Sequence, residues 1–132
     1  MATEAGGPVR VEILARKGCD NRGMAVLVVE RVVAEMGIPV VVKEIDLTSE
    51  AQAKKRRFLG SPSVHVDGVD VEPGASASTD FTLGDRVYRS GDWGLQAWPD
   101  ERWIRAALIV AQSASASNGN GASSARSSAT SP

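Results

Sequence analysis

Ser63-Val64-His65-Val66-Asp67-Gly68-Val69-Asp70-Val71-Glu72 is the stretch that decides the fold. Two alternating, valine-rich runs flank the dipeptide Asp67-Gly68. A two-residue Asp-Gly connection between such runs is the strongest short-range signal for a β-hairpin, because both central residues of the tight turn take positive φ. A proline, Pro62, stands directly before the first of the two strands. His65 alternates with Val64 and Val66, which turns it to the opposite face of the sheet or into solvent on an edge strand.

Upstream, Val9-Arg10-Val11-Glu12-Ile13-Leu14 alternates, then runs apolar towards Lys17-Gly18, and reads as a strand. Cys19 follows, with Asp20 and Asn21 as candidate N-caps. Val26, Val29, Val33 and Met36, with Leu27 and Val32, then recur at three and four, and Gly37 supplies a stop with Pro39 beyond it. This predicts a helix of about 15 residues whose broad apolar surface packs on a sheet. Val40 to Leu47 is a second strand, and its continuous apolar start predicts burial on both faces. Thr48 or Ser49 caps a short polar helix, Glu50 to Phe58, which stops near Gly60. After the hairpin, Pro73 to Ala97 reads as loop with a short strand at Arg86-Val87-Tyr88. Pro99, at the first helical position, opens a last helix with Ile104, Ala107, Leu108 and Ala111 as its stripe.

Two strands joined by a helix must run parallel with a right-handed crossover, and the hairpin adds an antiparallel pair. The expected class is therefore α/β: a βαβ unit, a β-hairpin and a C-terminal helix, forming a mixed four-stranded sheet with helices on both faces. The domain spans residues 9–112. Residues 1–8 are expected to be loose, and 113–132, built from Ser, Ala, Gly, Asn and Thr with Arg126 and Pro132, to be a disordered tail that cannot offset its ordering entropy.

Composition narrows the function. The chain of 132 residues carries 15 Lys+Arg against 16 Asp+Glu, which argues against broad electrostatic capture of nucleic acid. Its longest apolar runs are far short of the ~20 residues of a membrane helix, and no basic start followed by an apolar stretch marks an export signal. One lone thiol without such a signal fits the cytoplasm. A single cysteine, Cys19, and a single histidine, His65, exclude an intramolecular disulfide and a four-ligand Cys/His zinc site within one chain. The run Lys54-Lys55-Arg56-Arg57 has no interleaved aromatic residues and reads as the solvated face of the short helix, not as a nucleic-acid patch. Trp93, Trp98 and Trp103 cover the sheet under the last helix or, alternatively, form a partner patch.

Two stretches together carry a family resemblance: Arg16-Lys17-Gly18-Cys19, which puts the cysteine at the start of the first long helix, and Phe58-Leu59-Gly60-Ser61-Pro62, directly before the hairpin. With this element order, the chain from 9 to 112 resembles the thioredoxin-like superfamily, and in particular small bacterial thioredoxin-like proteins. The resemblance implies a cis peptide at Pro62, facing a reactive Cys19. It departs from the family at Asp20, where the subgroup carries proline, and at Arg22, where dithiol members carry a second, resolving cysteine. A self-contained dithiol oxidoreductase is thereby excluded.

What the resemblance leaves is monothiol exchange. Cys19 would attack a disulfide of a protein or small-thiol substrate, and an external small thiol such as glutathione would complete the cycle, with no bound cofactor. Ser61, before the cis-proline, would pair through its backbone with the incoming peptide, and Arg16, Lys17, Arg22 or Arg57 would lie near its charged groups. Physical chemistry points the same way at Cys19, since a helix N-terminus and neighbouring Arg16, Lys17 and Arg22 favour a thiolate while Asp20 opposes it. The alternative is a non-catalytic module of this fold that binds a partner or a metal. His65 as a base for Cys19, or a metal shared between two chains, are the minor variants.

Overall fold

The structure is a computed structural model that describes residues 7–90 and 94–121. Strands β1 (Val9–Arg16) and β2 (Val40–Leu47) flank helix α1 (Arg22–Met36). Helix α2 (Glu50–Lys55) follows, then the hairpin β3 (Ser63–Val66) and β4 (Val69–Asp70), a single 3₁₀ turn at Ala75–Ala77, a second small hairpin β5 (Tyr88–Ser90) and β6 (Gly94–Gln96), and helix α3 (Glu101–Gly121). The main sheet has the order β2-β1-β3-β4. β1 runs parallel to β2 and antiparallel to β3, and β3 pairs antiparallel with β4. The mixed α/β class, the βαβ unit, the hairpin and the C-terminal helix are as expected.

The two-residue turn behaves as its sequence requires: Asp67 has φ +48° and Gly68 φ +85°, the pair of positive values that matches the twist of the flanking strands. Gly37 ends α1 with φ +63° and returns its N–H to the carbonyl of Val33. The Ser49 hydroxyl caps α2 by accepting the Gln52 N–H.

Strand alternation builds two cores. Val9, Val11 and Ile13 of β1, with Val64 and Val66 of β3, face Ala25, Val28, Val29 and Val32 of α1 and Ile104 and Leu108 of α3. On the other face Leu14 meets Leu47, Ala53 of α2 and Phe58. Helices therefore lie on both faces.

Five expectations change. β2 is an edge strand, not one buried on both faces: Val41 and Val42 are 49% and 38% exposed, because β1 takes the centre of the sheet. Its later residues Lys43, Glu44 and Asp46 put charge on that edge, a common guard against edge-to-edge pairing. α2 is shorter than expected and ends at Lys55, with Arg56 as its C-cap. The strand expected at Arg86–Tyr88 begins two residues later and pairs with the unexpected β6. α3 starts at Glu101, and Asp100, not Pro99, marks its start, its carboxylate accepting the Arg102 N–H at 2.8 Å. α3 also continues past residue 112 to Gly121, since extending a nucleated helix costs far less than starting one. The expected looseness of residues 1–6 and the tail from 122 onward lie outside the described residues.

Asp100 also reports on acid stability. The Arg102 guanidinium, 2.6 Å away, outweighs burial and, helped by the Arg102 N–H and the Ser90 hydroxyl, holds the Asp100 carboxyl down to about 2. A carboxyl depressed on folding stabilises the fold above its unfolded value of about 3.9, and that contribution is lost as pH falls through the folded value. Arg102 is half exposed, which limits the contribution to about 1 kcal/mol. Urea unfolding should show this increment disappearing between about pH 4 and pH 2 in the natural chain, and Asp100→Asn, which can still cap the helix, should lack that part of the acid limb.

Candidate functional site

The site grows from the end of β1. Lys17 continues the pairing by donating its N–H to the Leu47 carbonyl at 3.0 Å, and the Cys19 N–H then closes back on the Arg16 carbonyl at 2.9 Å. In this four-residue turn Gly18 takes φ +81° at the third position, where a type II turn needs a positive value. Cys19 emerges half-buried. Its carbonyl accepts the Arg22 N–H, and α1 begins only at Arg22, with Asn21 as an N-cap whose side chain makes no capping bond. Cys19 therefore sits three residues ahead of the helix that it was expected to start, outside the first turn where the dipole is strongest.

The basic residues expected around it are largely committed, and Arg57 is engaged elsewhere in the fold. Arg16 donates to Asp85 at 2.8 Å and to the Leu83 carbonyl at 3.2 Å. The hydrogen bond to Asp85 outweighs desolvation and, with smaller contributions from Cys19 and Asp20, holds the Arg16 guanidinium more firmly protonated. Arg22, at the position of a resolving cysteine, turns to the edge strand and pairs with Asp46 and Glu44. Arg57 donates to the Ser76 carbonyl and lies over the Phe81 ring. Lys17 has no ion pair among the described residues.

The Ser61–Pro62 peptide is cis. The Ser61 hydroxyl accepts the Arg16 N–H at 2.8 Å and so fixes the end of β1 that carries the cysteine turn. Ser61 was expected to offer its backbone to an incoming peptide. Instead its N–H donates to the Gly84 carbonyl at 2.8 Å and its carbonyl accepts the Arg86 N–H at 3.1 Å, in a parallel bridge with the chain's own segment at Asp85. Gly60 permits this approach: at φ +122°, a Cβ there would stand 2.8 Å from the Arg86 Cβ. Pro62 is fully buried, and its carbonyl accepts the Tyr88 hydroxyl at 2.7 Å. The proline ring thus packs in the interior and does not line an open cleft.

What holds the segment down is a polar cluster. The Arg86 guanidinium, with its side chain only 6% exposed, grips Asp70 through two bonds at 2.7 and 3.1 Å, Glu72 at 2.7 Å and the Ser63 hydroxyl at 2.8 Å. It also lies 4.4 Å from the centre of the Tyr88 ring. Burial pushes the Asp70 carboxyl up, but His65 and Arg86 outweigh it and hold it below the ordinary carboxylate range. Burial pushes the Tyr88 hydroxyl up, well above its usual range. His65 stands opposite Glu12 on β1 and opposite Asp70 on β4. From Glu12 to Arg16 the strand alone runs about 13 Å, which separates His65 from the cysteine turn.

Sequence reasoning did not identify Arg86, Asp70 or Tyr88 as functional. A signal existed for Asp70: with the Asp67-Gly68 turn, hairpin alternation places Ser63, His65, Asp70 and Glu72 on one face. Trp98 and Trp103 pack against the α1/α3 core, and Trp103 meets Tyr88 with ring centres 6.0 Å apart. Trp93 lies outside the described residues. No group of three or more His, Cys, Asp or Glu side chains placed to hold a metal occurs among the described residues.

Arg86→Met should cost about 3–5 kcal/mol in urea unfolding, because it strands the buried Asp70 carboxylate. Adding Asp70→Leu should recover a substantial part of that loss. Gly60→Ala should also destabilise, by about 1–3 kcal/mol, through strain at positive φ and collision with Arg86. No family model matches this chain, and no curated protein matches it either.

Proposed function

We propose that the chain carries out thiol–disulfide exchange through Cys19 by a monothiol route. The observation behind this reading is the half-buried Cys19 on a turn tied, through the Arg16 N–H and the Ser61 hydroxyl, to the cis Ser61–Pro62 peptide. The Cys19 thiolate attacks one sulfur of a mixed disulfide between a substrate and a small thiol. A sulfur–sulfur bond forms between Cys19 and the small thiol, and the substrate leaves as a thiolate that takes up a proton. A second small-thiol molecule then attacks the adduct, releasing the Cys19 thiolate and the oxidised small-thiol dimer. In net, one disulfide is exchanged for another: the substrate sulfur is released as a thiol, and the one free small thiol consumed ends in the small-thiol dimer with the small-thiol half of the mixed disulfide. Arg22 in place of a resolving cysteine makes the external thiol obligatory.

Within this reading, the backbone of Ser61 takes no part in holding substrate, since the Gly84–Arg86 segment occupies it. Lys17, uncommitted and next to the turn, is the cation best placed to meet a carboxylate of the small thiol.

A second reading draws on the same segment: with the Ser61 backbone and Pro62 carbonyl all engaged and Pro62 buried, the domain is a binding module and Cys19 is chemically idle. Two measurements separate them. Under exchange chemistry, iodoacetamide alkylates Cys19 in the folded protein faster than it alkylates free glutathione at neutral pH. The protein also accelerates reduction of hydroxyethyl disulfide by glutathione, and Cys19→Ser abolishes the acceleration. Slow alkylation with no acceleration leaves the binding module.

A further inference from the structure

The charged run Lys54-Lys55-Arg56-Arg57 falls at the end of α2 and just beyond it, and three of its members line one groove of about 520 Å³. The groove lies on the sheet face away from α1. Ile45 and Leu47 line its apolar part, Lys55, Arg56 and Arg57 its basic side, and Glu12 and His65 its inner end. Lys55, Arg56 and Arg57 have no carboxylate partner within 4 Å among the described residues. Of the two acids that line the groove, Asp46 is paired with Arg22, which leaves Glu12 as its one uncommitted carboxylate.

Favourable contact with the helix dipole explains cations in the last turn of α2. It does not explain two further observations. Arg57 adopts φ +54°, a conformation usual for glycine after a helix end. Its side chain is pinned by the Ser76 carbonyl and the Phe81 ring, so that it divides the groove from a second cavity of about 180 Å³. His65 lines both spaces, is only 4% exposed, and its Nε2 has no hydrogen-bond partner. The imidazole faces Asp70 Oδ2 at 3.7 Å, beyond hydrogen-bond distance, and that oxygen is already held by Arg86. Buried polar atoms in native proteins are normally satisfied, so a polar nitrogen left over at the end of a groove marks a place for a ligand atom.

We infer that this groove binds a small organic anion. Its phosphate or carboxylate sits among Lys55, Arg56 and Arg57, where charge-assisted hydrogen bonds are strongest, and its uncharged part lies over Ile45 and Leu47 and reaches His65. The site does not involve Cys19 and stands whether or not the thiol is active.

The test uses the full chain with adenosine monophosphate, citrate and a single-stranded oligonucleotide as probes, followed by calorimetry and by the imidazole resonances of His65. The expected result is saturable binding of one of the two small probes with a shift of the His65 signals. The phosphate and carboxylate arms tell which anion is preferred. Lys55→Gln with Arg56→Gln should weaken binding about tenfold or more, with an unchanged circular dichroism spectrum. Arg57→Gly, which relieves the backbone conformation and so should not unfold the chain, should remove the His65 response. Binding that survives these substitutions, a His65 signal indifferent to millimolar probe, or preference for the oligonucleotide over both small anions would each overturn the inference.

Discussion

One buried guanidinium organises this domain. Arg86 joins Asp70 and Glu72 of the hairpin arm to Ser63 at its start, and stacks on Tyr88 as the chain enters the second hairpin. A buried ion pair contributes little net stability against apolar residues of the same shape, because desolvating both charges offsets much of their attraction. Its effect here is on position. Arg is the side chain suited to it, since a planar fork can satisfy a carboxylate through two bonds and still reach two further acceptors.

The cysteine turn inherits its placement from that anchor. With Arg86 held, residues 84–86 lie beside Ser61 and occupy both of its backbone groups, and the hydroxyl of Ser61 is turned to the end of β1. Asp85, next to the anchor, reaches Arg16 from the same segment. The region around Cys19 is thus clamped from one side by the chain's own strand, and the space that an extended peptide would use beside Pro62 is filled. This is why the exchange reading favours a small thiol and its mixed disulfides, and why a binding module remains its rival. The groove on the α2 face draws on a different set of residues, and the anchor's Asp70 lines not the groove but the smaller cavity beside it, which shares His65 with the groove.

Much of the fold was legible because its signals are local. The Asp67-Gly68 turn, the Gly37 stop, the Ser49 cap and the bounds of α1 and β2 follow from φ preferences and short-range hydrogen bonds that the residues carry wherever they stand. The misreadings concern what lies beyond a residue's own strand or helix. Val40-Val41-Val42 has the composition of a central strand, yet the strand order leaves it at the edge. The start of α3 shifted from Pro99 to Glu101 because the carboxylate of Asp100 caps the helix by accepting the Arg102 N–H, whereas a proline merely tolerates the first helical position.

The candidate site divides along the same line. From sequence alone come the place of Cys19 between β1 and α1, the lack of a second thiol, the proline before β3, and the alternation that turns His65 away from Val64 and Val66. Tertiary structure alone decided that this polar face is covered instead of solvated, that the Ser61 backbone is already paired, and that the basic run borders a groove ending at His65. The physical reason is that turn chemistry and periodicity are properties of neighbouring residues. Burial of a charge depends on a partner brought from elsewhere in the chain, as Arg86 is brought across 16 positions to Asp70, and no local pattern announces which carboxylate a distant arginine will find.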